Sequence, residues 1–320
     1  MSDALPPPTG PTFDVRLIYG PLLVGIFFNL ILYGVTVTQQ LNYLQSSRRD
    51  AGWLRAFVWT IFIILTANTG FDMWIMYEPL ILHYGAMPGK LPTAFVTQPL
   101  SVVLVGFPVQ VFFIWRIWTL GQVKIIPLII SLFALVSLAG GIWTTVMVPI
   151  VAEFRNIPQL YRSAEVWLIA SAVTDLAIAV SLAAVLRSKK TGIGATDGIV
   201  DKIIRMTVQT GLITALCSVL DVICFLTLQG ETVNFIWNIP LPKLYAICLL
   251  STLNARETFR SAFSDARGAI STSAELRPKQ NVFSKPQFMD YKGTGSLAED
   301  DRNMGPSELG IRMTKVVERV

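Results

Sequence analysis

The sequence predicts an all-α fold, a polytopic bundle of seven transmembrane helices, and three observations carry that prediction. Of 320 residues, 52% are hydrophobic and only 15% are Asp, Glu, Lys or Arg, with a mean hydropathy of +0.55; soluble domains carry about 25% charge. Seven apolar runs are each long enough to cross a ~30 Å hydrocarbon core, for which about 20 residues suffice. Basic residues fall unevenly on the two sets of run ends, the asymmetry that orients a chain in a membrane. A soluble enzyme is thereby set aside. Neither catalysis nor a nucleic-acid partner is expected, and the lipid bilayer is the first partner.

Residues 1–16 read as a short extracellular segment. With no basic stretch at its start and three prolines at Pro6 to Pro8, this segment does not resemble a cleavable signal peptide, so the first span is expected to stay in the mature protein. The bundle is assigned to residues 17–256, with spans at Leu17–Thr38, Arg55–Met76, Pro99–Leu120, Ile125–Val148, Val166–Leu186, Thr207–Leu228 and Phe235–Leu253. Thirteen Lys and Arg residues flank one set of ends, from Arg48 and Arg49 through Arg187, Lys189 and Lys190 to Arg256, Arg260 and Arg267; the other set has four, Arg16, Lys90, Arg155 and Arg162. Basic residues are retained in the cytoplasm, which predicts an N-out, C-in topology. Residues 257–320 mix ten basic with nine acidic residues and many Ser, Thr, Gly and Pro. Such a stretch buries too little surface to offset its ordering entropy, and it is expected to be a disordered cytoplasmic tail. Leu309, Met313, Val316 and Val320 match a short amphipathic helix with Arg312, Lys315 and Arg319 between them, although a stretch of coil that happens to match is the favoured reading.

Cysteine and histidine usage removes several chemistries. Cys217, Cys224 and Cys248 lie inside apolar runs and read as packing residues rather than a disulfide framework. His83 is the one histidine in the chain, so sites needing two imidazoles, in zinc hydrolases or bis-histidine haem carriers, cannot be built. No cofactor and no metal are expected.

Charges inside the spans are the main candidates, since an Asp or Lys at bilayer depth costs at least ~2.5 kcal/mol and turns toward the bundle interior. Four are present: Asp72, Asp175, Asp221 and Lys243. Counted at 1.5 Å per residue from the outer span ends, Asp221 and Lys243 lie roughly 10–12 Å deep, Asp175 roughly 13 Å and Asp72 roughly 6 Å. The shared depth suggests an ion pair between Lys243 and Asp221 or Asp175. Thr207, Thr210, Thr214, Ser218 and Asp221 recur at three and four residues, tracing one polar face on the sixth span. Weaker faces run through Asn29, Tyr33, Thr36 and Gln40, through Asn68 and Asp72, and through Ser171, Thr174 and Asp175. Lys243, Asp221, Asp175, Asp72, Asn68, Ser218 and Thr214 are the candidate cavity or ion-pair residues. Two readings stand: a hydrated cavity for a ligand or ion, or hydrogen bonds that hold the bundle together at about 0.6 kcal/mol each.

Pro108, Gly140 with Gly141, and Pro240 with Pro242 are expected to kink helices or admit close approach, with Pro242 loosening the backbone beside Lys243. Trp53, Trp59, Trp115, Trp118, Tyr19, Tyr77 and Trp167 fall near span ends and read as interfacial anchors.

Several runs together carry a family resemblance: Tyr19-Gly20-Pro21-Leu22-Leu23-Val24-Gly25, Trp115-Arg116-Ile117-Trp118, Thr174-Asp175-Leu176, Lys190-Thr191-Gly192 with Asp197, Thr210-Gly211-Leu212, Lys243-Leu244-Tyr245 and Leu253-Asn254-Ala255-Arg256. In order and spacing, from about Leu17 to Arg260, they resemble the basidiomycete fungal membrane family called domain of unknown function 6534. The resemblance implies a seven-helix integral membrane protein with Asp175, Lys243 and Asn254 at family-typical positions. Asn68 stands where relatives often have a histidine. It implies no reaction, because the family has no established activity.

The leading functional expectation is a receptor or sensor in the plasma membrane or an endomembrane, with a polar cavity in its outer half for a small ligand and a cytoplasmic face for a signalling partner. A small-solute or proton-coupled transporter, exchanging protons or cations at Asp175, Asp221 and Lys243, and a scaffold without a ligand are the alternatives. A retinal role for Lys243 is set aside, because Ile239 occupies the position one turn earlier where microbial-type opsins carry Asp.

Overall fold

The structure, a computed structural model, describes residues 15–46, 50–84, 91–151, 154–188, 194–228 and 231–255; the segments 1–14 and 256–320, with the expected tail and its amphipathic stretch, lie outside them. Seven helices follow one another: α1 (Val15–Ser46), α2 (Gly52–Tyr77), α3 (Thr97–Leu120), α4 (Ile125–Val151), α5 (Tyr161–Arg187), α6 (Gly194–Thr227), and α7, which begins with Phe235–Asn238 and resumes over 241–255. Each contains a stretch long and apolar enough to cross a membrane. This is an integral membrane protein by composition and helix length. Large apolar side chains such as Phe27, Ile31, Ile63, Leu132 and Val180 remain exposed on the outer faces, as hydrocarbon requires.

Two helices are central. In α3 and α7, 67% and 83% of the most apolar stretch is buried, against 22–33% in α1, α2, α4 and α6. The main core gathers Leu65, Val105, Ile117, Ala246 and Leu249, and a second apolar cluster, with Leu22, Ile26, Ile75, Phe95 and Ile239, forms where α1, α3 and α7 begin. Gly140 admits α5 to α4: a Cβ there would lie 2.9 Å from the Trp167 backbone. The same approach buries Trp167, so this residue packs between helices and is no interfacial anchor. Trp53, Trp59, Trp115, Trp118 and Tyr77 are exposed, consistent with anchoring.

Two departures from the expected spans matter for the site. The second span continues past Met76 through a wide π-helical turn, Glu78–Leu82. Pro79 has no N–H for the carbonyl one turn earlier, so the helix widens instead of stopping. The turn is tied to the start of α3 by Glu78, whose Oε2 accepts from Thr93 N at 2.9 Å and Thr93 Oγ1 at 2.7 Å. In α7, helical geometry breaks at 239–240. Pro240 and Pro242 both lack the N–H that a continuous ladder needs, and the chain resumes with Lys243 N and Leu244 N both donating to Pro240 O at 3.1 Å. The loosened backbone expected beside Lys243 is present.

Candidate functional site

The candidate residues are all buried, and α7 sorts them into separate groups. Consecutive residues on a helix are turned by about 100°, so Lys243 and Tyr245 point about 200° apart and serve opposite sides of the bundle.

On the side of α1 and α2, Lys243 Nζ lies 3.5 Å from Asp72 Oδ2, with both side chains fully buried. Lys243 also donates to Asn68 Oδ1. Asn29 Nδ2 donates to Asp72 Oδ2 at 2.8 Å, and Asn68 Nδ2 donates to Asp72 Oδ1 at 3.2 Å and to Ser101 Oγ at 3.0 Å. Four helices thus contribute to one compact network. Lys243 pairs with Asp72, and not with Asp221 or Asp175 as equal depth suggested. The expected depth of Asp72 was too small because the second span runs to Leu82; from there Asp72 is about 15 Å in, level with Lys243.

On the opposite side Asp175 has no cation among the described residues. Its Oδ1 accepts from Gln110 Nε2 at 2.8 Å, and its Oδ2 accepts from Tyr245 Oη at 2.6 Å and Ser218 Oγ at 2.5 Å. Neutral donors on α3, α6 and α7 therefore surround a carboxylate of α5. Two small voids border this group, about 30 Å³ beside Asp175, Thr207, Thr214 and Tyr245, and about 10 Å³ beside Gln110, Ser171 and Tyr245, room for a water or two. Thr214 belongs to the wall, its hydroxyl returned to Thr210 O at 3.0 Å.

The third acid, Asp221, lies about 9 Å from the end of α6 at Thr227. Asn238 Nδ2 donates to its Oδ2 at 2.6 Å. Gln98 Nε2 in turn donates to Asn238 Oδ1 at 3.4 Å. This relay forms the floor of a cavity of about 380 Å³ bounded by the starts of α1, α3, α5 and α7 and the ends of α4 and α6. Its walls are apolar and aromatic, with Leu22, Phe95, Trp167, Phe225 and Phe235, and polar groups from Gln98, Asn234, Asn238 and Glu231 converge on it. Ligand sites are typically concave, largely apolar, and supplied with a few fixed polar groups; this cavity has that character.

Of the seven candidates, Asp72, Asn68 and Lys243 come together, Asp175, Ser218 and Thr214 form a second group, and Asp221 stands alone behind the cavity. Gln98, Ser101, Gln110, Asn238 and Tyr245 were not among the candidates. A signal for α7 was present: Asn234, Asn238 and Tyr245 recur at four and seven residues, a polar stripe obscured by Pro240 and Pro242. Gln110 is a neutral amide, which costs less in a span than a charge, and Gln98 lies just before the predicted third span, whose helix in fact begins at Thr97. Cys217, Cys224 and Cys248 are free thiols. Asn254, placed by the resemblance, donates to Gln39 O at 3.0 Å and ties α7 to α1.

The family of unknown function DUF6534 matches this chain over residues 171–258, from the middle of α5 through α7 and narrower than the stretch from Leu17 to Arg260 that carried the resemblance. Asp175, Ser218, Asp221, Asn238, Lys243 and Tyr245 lie inside the matched stretch, whereas Asp72, Asn68 and Gln98 lie outside it. No curated protein and no solved structure matches the chain.

Proposed function

We propose that this integral membrane protein is a receptor or sensor, oriented N-out and C-in, that binds a small molecule in the cavity at the ends of the helices. The single observation that supports this reading is the size contrast along the polar interior. A cavity of about 380 Å³ sits at one end, and the polar groups beneath it border voids of only about 30 and 10 Å³. A transporter needs a path that passes solute to the other side; a receptor needs a ligand chamber closed below. On this reading the protein catalyses no reaction. Ligand occupancy shifts the helix ends around α7, whose broken backbone at 239–240 lies beside the cavity floor, and a cytoplasmic partner reads the shift. The thirteen-to-four basic asymmetry favours the orientation.

The test uses Ala164, a buried residue of the cavity wall. Ala164→Cys, in a chain whose native cysteines are replaced, is expected to react with a membrane-impermeant maleimide added outside intact cells. Reaction only after permeabilisation would overturn the orientation, reaction from either side would favour the transporter, and no reaction from either side would remove the open cavity.

A further inference from the structure

The hydrogen bonds at the cavity floor have a direction. A carboxylate only accepts, so Asp221 obliges Asn238 to present its amide N–H groups to it, and they do so at 2.6 Å. That leaves Asn238 Oδ1 to face Gln98, which must answer with its own N–H groups, as it does at 3.4 Å. The consequence is transmitted to the end of the relay: Gln98 Oε1 is buried, belongs to a residue of the cavity wall, and accepts no hydrogen bond. Asp221 Oδ1 likewise makes no direct hydrogen bond, although the Asn234 amide stands close by. A buried acceptor left without a donor costs about 1–3 kcal/mol. Two of the wall's hydroxyl groups have their protons engaged elsewhere, Thr144 with Gly140 O at 2.9 Å and Thr232 with Ile18 O at 2.6 Å, and the other side-chain donors of the wall, among them Tyr161 Oη and Trp167 Nε1, are neutral. At the rim Glu231 is exposed and faces the same cavity. It is the one acidic side chain among the described lining residues, and none of them is Lys, Arg or His.

An anchored acid, a relay that ends in a free carbonyl oxygen, and a carboxylate at the rim all ask for hydrogen-bond donors and positive charge. From this we infer that the cavity takes an amphiphilic amine, with an aromatic or alkyl body against Phe95, Trp167, Phe225 and Phe235 and a protonated nitrogen donating to Gln98 Oε1. The inference rests on the reading of this cavity as a ligand site. An anionic head would meet Gln98 Oε1 and the Glu231 side chain with no positive charge in the wall to offset them, only neutral donors such as Tyr161 and Trp167, and an alcohol would satisfy Gln98 Oε1 without the charge. Hydrogen bonds with an ionised partner are roughly twice as strong as neutral ones.

Three probes with one carbon skeleton separate the head groups: phenylbutylamine, phenylbutanol and phenylbutyrate, titrated calorimetrically into the full-length protein in lipid nanodiscs and corrected with empty nanodiscs. The amine is expected to bind about tenfold more tightly than the alcohol, a difference of about 1.4 kcal/mol, with the butyrate weakest. Gln98→Leu should abolish most of the amine's advantage. Asp221→Asn, whose side chain also donates, allows the relay to reverse and should narrow the gap between amine and butyrate. Glu231→Gln, at an exposed position with no side-chain partner among the described residues, should weaken the amine severalfold and leave the alcohol unchanged, which keeps the test decisive if the buried variants fail to fold. Equal binding of all three probes, or preference for the butyrate, would overturn the amine assignment while leaving a ligand site in place. Binding of none of them would overturn it too; the ligand-site reading falls with it only if Ala164→Cys also resists the maleimide.

Discussion

The two sides of α7 solve one problem in different ways. Toward α1 and α2, a buried carboxylate is matched by a buried ammonium and three neighbouring polar residues, with the charges cancelled. Toward α5 and α6, Asp175 is held by three neutral donors and by no cation among the described residues, and water-sized voids remain beside it. The difference teaches that buried charge marks expense and not, by itself, a site. The most expensive cluster, around Lys243, has no part in the walls of the large cavity, which is organised by amides backed by one distant acid.

The largest effect that would break this comparison is the loss of Lys243. Removing one partner of a buried ion pair typically costs about 3–5 kcal/mol because the other charge stays buried. Lys243→Met is expected to destabilise the bundle by that order in a reversible detergent unfolding assay. Adding Asp72→Asn should restore much of the loss, whereas adding Asp175→Asn or Asp221→Asn should restore none. Recovery with Asp175→Asn instead would place Lys243 on the other side of α7 and reverse the assignment of both clusters.

A middle-sized effect concerns the α4 and α5 contact that positions the cavity wall. Gly140→Ala would place its Cβ 2.9 Å from Trp167 backbone atoms, and overpacking of this kind costs about 1–3 kcal/mol. Gly34→Ala and Gly70→Ala meet nothing within 4 Å and are expected to be neutral or slightly stabilising, since Ala is the better helix former by up to about 1 kcal/mol. Thermal unfolding of the three variants side by side sharpens the distinction. If Gly140→Ala behaves like the other two, α4 and α5 are not in close contact and Trp167 is free to move.

How far the sequence revealed these arrangements depended on which physical signal each one used. Seven apolar runs are a strong signal, and the described helices match them with α1, α2, α5 and α6 extended. The chain also announced that Asp72, Asp175, Asp221 and Lys243 turn inward, because hydrocarbon leaves them nowhere else to go. The partners were not legible. Depth was counted along single helices, and the predicted second span stopped at Met76, just before Pro79, where the helix in fact widens and continues to Leu82. Rotation about α7 also had to be combined with depth, since Lys243 and Tyr245 are neighbours in sequence but not in space. Gln98 and Asn238 carry no charge and pay a smaller penalty in lipid, so nothing in the sequence ranked them above the Thr residues of α6, of which Thr210 and Thr214 bond back to their own helix.

The smallest effect tests the neutral side of the comparison. Tyr245 Oη donates to Asp175 Oδ2 at 2.6 Å, but Ser218 reaches the same oxygen and Gln110 holds the other. Deleting one of three donors leaves two, and individual side-chain hydrogen bonds in membrane bundles are worth about 0.6 kcal/mol on average with a maximum near 1.7. Tyr245→Phe keeps the ring against Gly106 and removes only the hydroxyl, so its cost should lie in that range, well below that of Lys243→Met in the same assay. Because the three donors share one carboxylate, their deletions should not add: Tyr245→Phe combined with Ser218→Ala ought to cost more than the sum of the single changes, the last donor on Oδ2 having gone. Strict additivity would mean that Asp175 is held chiefly by Gln110. A Tyr245→Phe loss as large as that of Lys243→Met would mean that one phenol stabilises this carboxylate as much as an ammonium stabilises Asp72, and the contrast between the two sides of α7 would be lost.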